Sequence, residues 1–595
     1  MSKAPRQLEH FPNLVTMFFT RAAEKGDAPF LWAKHDGAWH ATSWAEAARK
    51  VAALAESLRR LGLKPGERVM LVSENRPEWL LSDLAIMAAR CVTVPTYTTN
   101  TVRDHQHILG NSGARAVIVS SQKLAKALIP AVLFSSECRH IISIDPLTVQ
   151  QSPDVAQFHR WDELASGEAD VAAAREAASM IGRSDLACLI YTSGTGGAPR
   201  GVRQHHGAIL HNVEGCTDII INDFAWEEEV FLSFLPASHA YEHSGGQYFP
   251  IGLGGQIYFA ESLEKLAANI EEVRPTLMIV VPRLFEMLRA RSLKAIEKEG
   301  GLPAYLLGRA LAIEARRAAG KSRLIDAPMD KLLDFTLRKK VQAKFGGRIK
   351  AMISGGAPLN ADVGNFFAAT GLMLLQGYGQ TESGPVISCN RPAAGIAMES
   401  VGPPLKNTEV RIAADGEIMV RGELVMHGYW QNEEESARVL QDPAAGDGAG
   451  AWLATGDVGH IDAKGRIVIT DRKKDLIIND KGDNVAPQRV EGMLTLQPEI
   501  AQAMVFGDRR PHLVALLVPE AEFADSPDLH QRLSKAVDRV NGDLSVIEKV
   551  RRFIVADEAF SVENEQLTPS LKIRRHVIGK VYGERLNALF AERKR

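Results

Sequence analysis

Apolar positions recur along this chain at two different spacings. After Ser43-Trp-Ala-Glu46, which has the form of a capping box, Val51, Leu54, Leu58 and Leu61 follow at steps of three and four, the period of one helix face. Gly62 and Lys64-Pro-Gly66 stop that pattern. Short apolar runs come next: Arg68–Val72, Cys91–Pro95, Ala116–Val119 and His140–Ile144 read as strands, with Trp79–Ala89 as a helix after the first. Strands alternating with helices predict parallel βαβ units and an α/β fold.

Two stretches depart from the alternation. Between Arg283 and Lys350 the pattern is helical and basic, with 17 Lys/Arg against 7 Asp/Glu. The whole chain nets −2, so the remainder stands near −12. A solvated helical face and a docking surface for something acidic both fit, and Arg338-Lys339-Lys340 is its densest cluster. Near the C-terminus, Ala444–Gly450 reads as a loop, and Asp471-Arg-Lys-Lys-Asp475 separates the apolar runs Ile467–Thr470 and Leu476–Ile478. A charged link between short strands predicts a domain boundary.

A length of 595 residues fits several structural units. The composition is that of a globular protein, and a net charge near zero gives no basic field for nucleic acid. The five cysteines are far apart and form no CxxC pair, which points to a reducing compartment. No signal-peptide core opens the chain, and no apolar run approaches a membrane span. The expectation is a cytoplasmic protein, with peripheral contact to the inner membrane face through 283–350 left open.

The segment LIYTSGTGGAPRGV, Leu189–Val202, holds four glycines and three Ser/Thr hydroxyls behind an apolar strand-like run, and Arg200 follows. Small residues let backbone N–H groups converge on an anion. The segment is neither a mononucleotide P-loop, which would need Gly-Lys where Pro199 and Arg200 stand, nor a dinucleotide fingerprint, which needs a third glycine at Pro199. Alone, an ordinary surface turn explains it equally well.

Other segments add chemistry. SGGAPL (Ser354–Leu359) and LLQGYGQTES (Leu374–Ser383) each follow an apolar run. Their glycines would let a flat ring approach the backbone, Tyr378 could stack on it, and Thr381 and Glu382 offer hard oxygens suited to Mg²⁺ on a polyphosphate. WLATGDVGHID (Trp452–Asp462) sets Asp457 after Thr-Gly, as a turn acid or a clamp on a ribose diol. LTPSLKIRR (Leu567–Arg575) carries Lys572.

In this order and spacing the segments resemble the adenylate-forming superfamily of acyl-CoA synthetases, adenylation domains and luciferases. The resemblance runs from about Ser43 to Lys580 and rests on Tyr191–Val202, LPASHAYE (Leu235–Glu242), Ser354–Leu359, Tyr378–Glu382, Gly416–Trp430, Trp452–Asp457 with Asp471–Asp475, and Leu567–Lys572. VPRLFEML (Val281–Leu288), the helical insert, GDNVAPQRVE (Gly482–Glu491) and LTPSLK resemble the long-chain fatty acyl-CoA synthetases within it. Two positions depart: Gly196 stands where the family usually has Thr or Ser, and Arg200 where it has Lys.

The resemblance implies a large N-terminal adenylation domain of parallel α/β subdomains (1–470), a hinge (471–474) with Lys474 as pivot, and a small mobile α+β domain (475–595). It implies activation of a medium- to long-chain fatty acid by ATP through an acyl-adenylate, then transfer to the thiol of CoA, with acyl carrier protein as the alternative acceptor. A nucleotide-binding protein with a dead site is a rival of another class, against which Lys572, Glu382 and Asp457 argue. Thr192, Ser193, Gly194, Thr195, Gly196, Gly197 and Arg200 are then the phosphate loop, and Thr192 and Glu382 the Mg²⁺ ligands. Gly355, Gly356, Ala357 and Pro358, with Gln376, Gly377, Tyr378 and Gly379, hold adenine, and Thr381 belongs to the ATP site. Asp457 and Arg472 hold the ribose, and Lys572 bridges acyl carboxylate and α-phosphate. His239, Tyr241, Gly245, Gly246 and Gly482 border the acyl and thiol channels, and the tunnel wall includes residues from Tyr241 to Gly255, where glycines leave room for an alkyl chain.

Overall fold

The computed structural model describes residues 7–148, 156–192, 198–318, 320–321, 323–441, 450–473, 475–481, 483–568 and 573–591. The chain builds two large mixed sheets, a smaller antiparallel sheet and a C-terminal α+β segment.

The first large sheet has seven strands, in the order Gln157–Arg160, His140–Ser143, Ala116–Val119, Arg68–Val72, Val92–Thr96, Leu186–Thr192 and Arg200–His205. All neighbours are parallel except the last pair. Ala116–Val119 is buried along its whole length, which is why it reads as an unbroken apolar run and not an alternation. Helices Trp44–Arg60 and Pro77–Ala88 pack on one another and on the core around this sheet. Ser43 caps the first, accepting from the Glu46 N–H at 3.1 Å, but the Glu46 carboxylate pairs with Lys50 at 2.7 Å. Only half of the expected capping box forms.

The second large sheet runs Val386–Cys389, Leu374–Gly379, Ala351–Ser354, Leu277–Val280, Val230–Ser233, Gln256–Phe259, Pro29–His35 and Ala38–Ser43. Its middle is parallel and each edge closes with an antiparallel strand. The N-terminal hairpin thus docks far along the chain: Leu31 pairs with Ile257, and Trp32 stacks on Tyr258 at 4.9 Å.

The smaller sheet holds Glu409–Ile412, Glu417–Arg421, Leu440–Gln441, Trp452–Ile461 and Ile467–Arg472, all antiparallel. After it, Ile500–Phe506, Leu513–Pro519 and Val550–Val555 form a three-stranded sheet packed by helices Pro487–Leu494, Leu529–Asp543 and Arg575–Ala588.

The basic stretch is helical, as its pattern predicts: Pro282–Glu299, Gly301–Ala318, Ala327–Leu333 and Lys339–Lys344 are α-helices, and Asp334–Arg338 is a π-turn between the last two. Arg338 departs from the expectation of a solvated cluster. It is buried, donating to the Ala369 carbonyl at 3.0 Å and pairing with Asp330 and Asp334. Among the described residues, no helix is long and apolar enough to cross a membrane.

Candidate active site

In a parallel sheet, neighbouring strands deliver the loops at their carboxyl ends to one place. Ala351–Ser354 and Leu374–Gly379 are such neighbours, with Ser354 opposite Gln376, so the Gly355–Pro358 and Gly377–Glu382 segments lie side by side. Strand Leu186–Thr192 of the other large sheet ends at the Gly-rich loop. Ser193, Gly194, Thr195, Gly196 and Gly197 lie outside the described residues, as do Lys474, Gly482 and Lys572.

Strand Arg200–His205 stitches these pieces together. Its Gln204 side chain donates to the Thr381 carbonyl, and Val202 bridges to Tyr429. Trp430 N–H donates to Gly201 at 2.7 Å, and Met426 N–H to the Glu382 carbonyl at 2.9 Å. The result sets the Tyr429 hydroxyl 2.7 Å from Oε1 of Glu382. Burial, reinforced by the Glu382 charge, raises the Tyr429 pKa, so the phenol stays a donor and orients the carboxylate. Tyr429 lay inside the Gly416–Trp430 motif, but its role needed the strand bridge to be seen.

Arg200 is already engaged. Its guanidinium pairs with Glu435 and lies over the Tyr429 ring, 4.9 Å from the centroid. It thus packs against Tyr429, the residue whose hydroxyl meets Glu382. Thr192 stands opposite Arg200 in the ladder. A hydroxyl and a carboxylate are the hard oxygens Mg²⁺ takes, and such an ion keeps further positions for phosphate oxygens and water. Among the described residues no cluster of three His, Cys, Asp or Glu is arranged for a metal.

Asp457 is the most constrained acid of the site. It is buried, and its oxygens accept from the Tyr378 hydroxyl at 2.7 Å and Arg472 Nε at 2.8 Å. The Asp457 charge raises the Arg472 pKa. Tyr378 is held in its neutral form by burial first and by Asp457 second.

The glycines differ in what surrounds them. A Cβ on Gly355 would meet the Tyr241 ring at 2.7 Å, so the flat ring against this backbone is the protein's own; Tyr241 Oη donates to the Ile353 carbonyl at 2.9 Å. At Gly379 a Cβ would fall 1.8 Å from the Pro385 carbonyl oxygen, where the strand bulges. Gly356, at φ +82°, faces open space with exposed Ala357 and Pro358. Gly377 has only ordinary contacts, the nearest at 3.7 Å. Gln376 is buried and donates to the Met398 carbonyl at 2.6 Å, so it holds the neighbouring loop.

His239 caps the short helix Ala240–Glu242, with Nδ1 accepting from Tyr241 N–H at 3.2 Å. A π-turn, His243–Tyr248, continues it. The room expected at the glycines here is filled. Beside Gly246 lies the Glu242 carboxylate, beside Gly252 the Val213 side chain, beside Gly255 the Glu229 carbonyl, and Gly245 meets Ile279 at 3.4 Å. Glu242, the last residue of LPASHAYE, is given no role by the sequence. It is fully buried, accepts from Ser233 Oγ at 2.6 Å, and burial pushes its pKa up to about 8.

Comparisons with known proteins agree with this architecture. The family model described as AMP-binding enzyme matches residues 18–430, and the AMP-binding enzyme C-terminal domain matches 474–594. The chain is 30% identical to a long-chain-fatty-acid–CoA ligase of Mycobacterium tuberculosis, covering 99% of this chain and 98% of that protein. It is 27% identical to a chloroplastic long-chain-fatty-acid–[acyl-carrier-protein] ligase of Arabidopsis thaliana, over 90% of this chain and 81% of the relative. Its fold is similar to the adenylation domain of a carboxylate reductase from Mycobacterium chelonae, with TM-score 0.76 at 22% identity over 98% of this chain and 92% of that one. The protein therefore belongs to the AMP-binding enzyme family.

Proposed function

We propose that this chain is an AMP-forming fatty acid–CoA ligase for medium- and long-chain acids. The observation that carries the reading is the Asp457 clamp beside the two glycine loops, a buried anion oriented by Tyr378 and Arg472 as a ribose diol requires. Full-length likeness to a protein named for long-chain acids and CoA supports the substrate class.

A carboxylate is a poor acylating agent, so its oxygen first attacks the α-phosphorus of ATP; the bond to pyrophosphate breaks and an acyl-adenylate forms. The thiol of CoA then attacks the acyl carbon and AMP leaves. Positioning and charge neutralisation account for most of such catalysis. Mg²⁺, held by Thr192 and Glu382, would neutralise the departing pyrophosphate. Tyr429 keeps the Glu382 carboxylate aimed, and Arg200 keeps Tyr429 in place. Asp457 fixes the ribose, and the segment from Gly194 to Gly197 wraps the phosphates. Lys572 bridges the acyl carboxylate and α-phosphate in the first step only.

For the second step the segment 475–595 turns about Lys474 and brings Gly482 to the thiol channel beside His239. Two polar contacts with helix Pro282–Glu299 support this. Arg283 donates to the Ala501 carbonyl at 3.1 Å and Lys294 pairs with Glu522, contacts that exchange readily for water. Acyl carrier protein is the second reading for the acceptor, on likeness to the Arabidopsis ligase named for it.

The deciding experiment measures AMP, pyrophosphate and thioester from ATP and acids of increasing chain length, with CoA and with holo-carrier protein in parallel. Hexadecanoate or dodecanoate with CoA should give AMP and thioester in equal amounts. Turnover with carrier protein alone would reassign the acceptor, and no AMP with any acid would refute the enzyme.

A further inference from the structure

One side chain joins loops from the two large sheets. Asn75 lies between strand Arg68–Val72 of the first sheet and helix Pro77–Ala88. Leu235 and Ala237 lie beyond the carboxyl end of strand Val230–Ser233 in the second sheet, just ahead of His239. Asn75 Nδ2 donates to the Leu235 carbonyl at 2.5 Å, and its Oδ1 accepts from the Ala237 N–H at 2.9 Å. The amide thus closes a ring across Pro236, as the backbone of a neighbouring strand would. Among the described residues neither of these loop groups has a backbone partner, so removing the amide leaves both unmet.

The same amide reaches further. Asn75 Nδ2 also donates to Ser233 Oγ at 3.0 Å, and that hydroxyl donates to Glu242 at 2.6 Å and accepts from Gln247 Nε2 at 3.0 Å. Ser233, Glu242 and Gln247 are all buried. His239 is therefore bracketed, by the Asn75 bonds at 235 and 237 before it and by Glu242 after it. The Pro236 carbonyl accepts from His239 N–H at 2.9 Å, so any shift of the bend at Pro236 carries His239 with it. None of the three Asn75 bonds goes to the Gly355–Pro358 or Gly377–Glu382 segments.

We infer that Asn75 is a positioning residue that holds His239 in place for attack of the thiol on the acyl-adenylate. This rests on the reading of His239 as a border of the acyl and thiol channels. A joint needed only to keep two sheets together could be apolar. Three directed bonds onto residues 233–237 fix the path of the loop as well as its distance. The charged groups around Asn75 have other partners: Glu74 is turned to Ser120 and Ser121, Arg76 to Glu78 and Asp145, and Glu242 to Ser233.

The test follows thioester formation from supplied dodecanoyl-adenylate and CoA. Asn75→Ala should lower kcat/KM in this step by about ten- to a hundredfold, the cost of a displaced group near the reacting atoms, while KM for ATP in pyrophosphate exchange holds. In a His239→Ala background the same change should cost nothing further, because both act through one loop. Asn75→Asp keeps the acceptor for Ala237 and regains a donor only when protonated. The ratio of its rate to that of Asn75→Ala should therefore climb as pH falls from about 8 to about 5.5, with the titration of His239 and Glu242 common to both variants. If Asn75→Ala folds poorly, the ratio of Asn75→Asp to wild type over the same range gives the same reading. No thioester from wild type would overturn both the ligase reading and this inference. With wild type active, full additivity of the Asn75 and His239 losses, a flat pH ratio, or a wild-type rate in Asn75→Ala would overturn the inference alone.

Discussion

Asp457 and Arg472 face one another across antiparallel strands, 2.8 Å apart, and the Tyr378 hydroxyl closes on the other carboxylate oxygen at 2.7 Å. The three come from different places: Tyr378 from a large sheet, Asp457 from the middle of a long strand, and Arg472 from the last strand before the C-terminal segment. The carboxylate thus ties the glycine-rich loop that carries Tyr378 to the last strand before the C-terminal segment.

Tyr378→Phe should raise KM for ATP between about tenfold and a hundredfold, the range for one hydrogen bond to a charged group, with little change in KM for the fatty acid. Asp457→Asn should cost more. Because the two share one carboxylate, the double variant should fall short of the sum. Initial rates against ATP concentration check this; strict additivity would mean that Tyr378 and Asp457 act separately.

Gly377→Ala separates ligand approach from packing. An alanine Cβ there meets nothing closer than 3.7 Å, so the unfolding temperature should hold, and a loss of ATP affinity would report adenine lying on that backbone. Gly379→Ala must displace the Pro385 carbonyl and should destabilise the protein outright. Calorimetry combined with ATP titration distinguishes them. Unchanged affinity in stable Gly377→Ala removes this glycine from the adenine site.

Tyr429→Phe leaves Glu382 without its hydroxyl donor, and the magnesium concentration needed for half-maximal adenylation should rise by about tenfold. Titrating Mg²⁺ at fixed ATP is the measurement. A curve superimposable on wild type would mean that Glu382 needs no orientation.

Lys572→Ala should lower fatty-acid-dependent pyrophosphate exchange by about 10²–10³ and spare thioester formation from supplied acyl-adenylate. Exchange at the wild-type rate would end its assignment to the first step.

The Glu242 carboxyl, raised to about 8 from an ordinary 4.5, holds a proton in the folded chain that the unfolded chain has released. Its contribution is fully present below pH 4.5 and is lost as pH rises through 8. Glu242→Gln reproduces the protonated form, so the variant's advantage should grow across that window, reaching on the order of 3 kcal/mol at pH 7. Unfolding temperatures of the two proteins measured across that range check this, and parallel curves would place the proton elsewhere.

Much of the fold was legible because its strands are short apolar runs punctuated by Gly and Pro, and the spacing of Leu54, Leu58 and Leu61 marks a helix face. The loops of the site were legible as glycine clusters, and Asp457 and Glu382 as acids beside them. Pairing was not legible. That Arg200 belongs to Glu435 and Tyr429 depends on a contact across 235 residues, and that Gly246 accommodates Glu242 depends on a π-turn without a composition of its own. Glycine in sequence announces space; only the fold says what fills it.

The pairing of Leu31 with Ile257 has a consequence during synthesis. The hairpin Pro29–Ser43 leaves the ribosome well before the strand that completes it, which is 226 positions further on by the difference of the two paired residue numbers. At roughly 5–20 residues per second the apolar flank of the hairpin waits about 10–45 s for its neighbour. A nascent chain paused before residue 257 presents an open sheet edge, the state in which a chaperone would be needed and aggregation would begin. Since Trp32 stacks on Tyr258 and donates to Gln256 at 2.8 Å, its fluorescence should change when that edge closes. One native tryptophan would thereby time the joining of the chain's beginning to its middle.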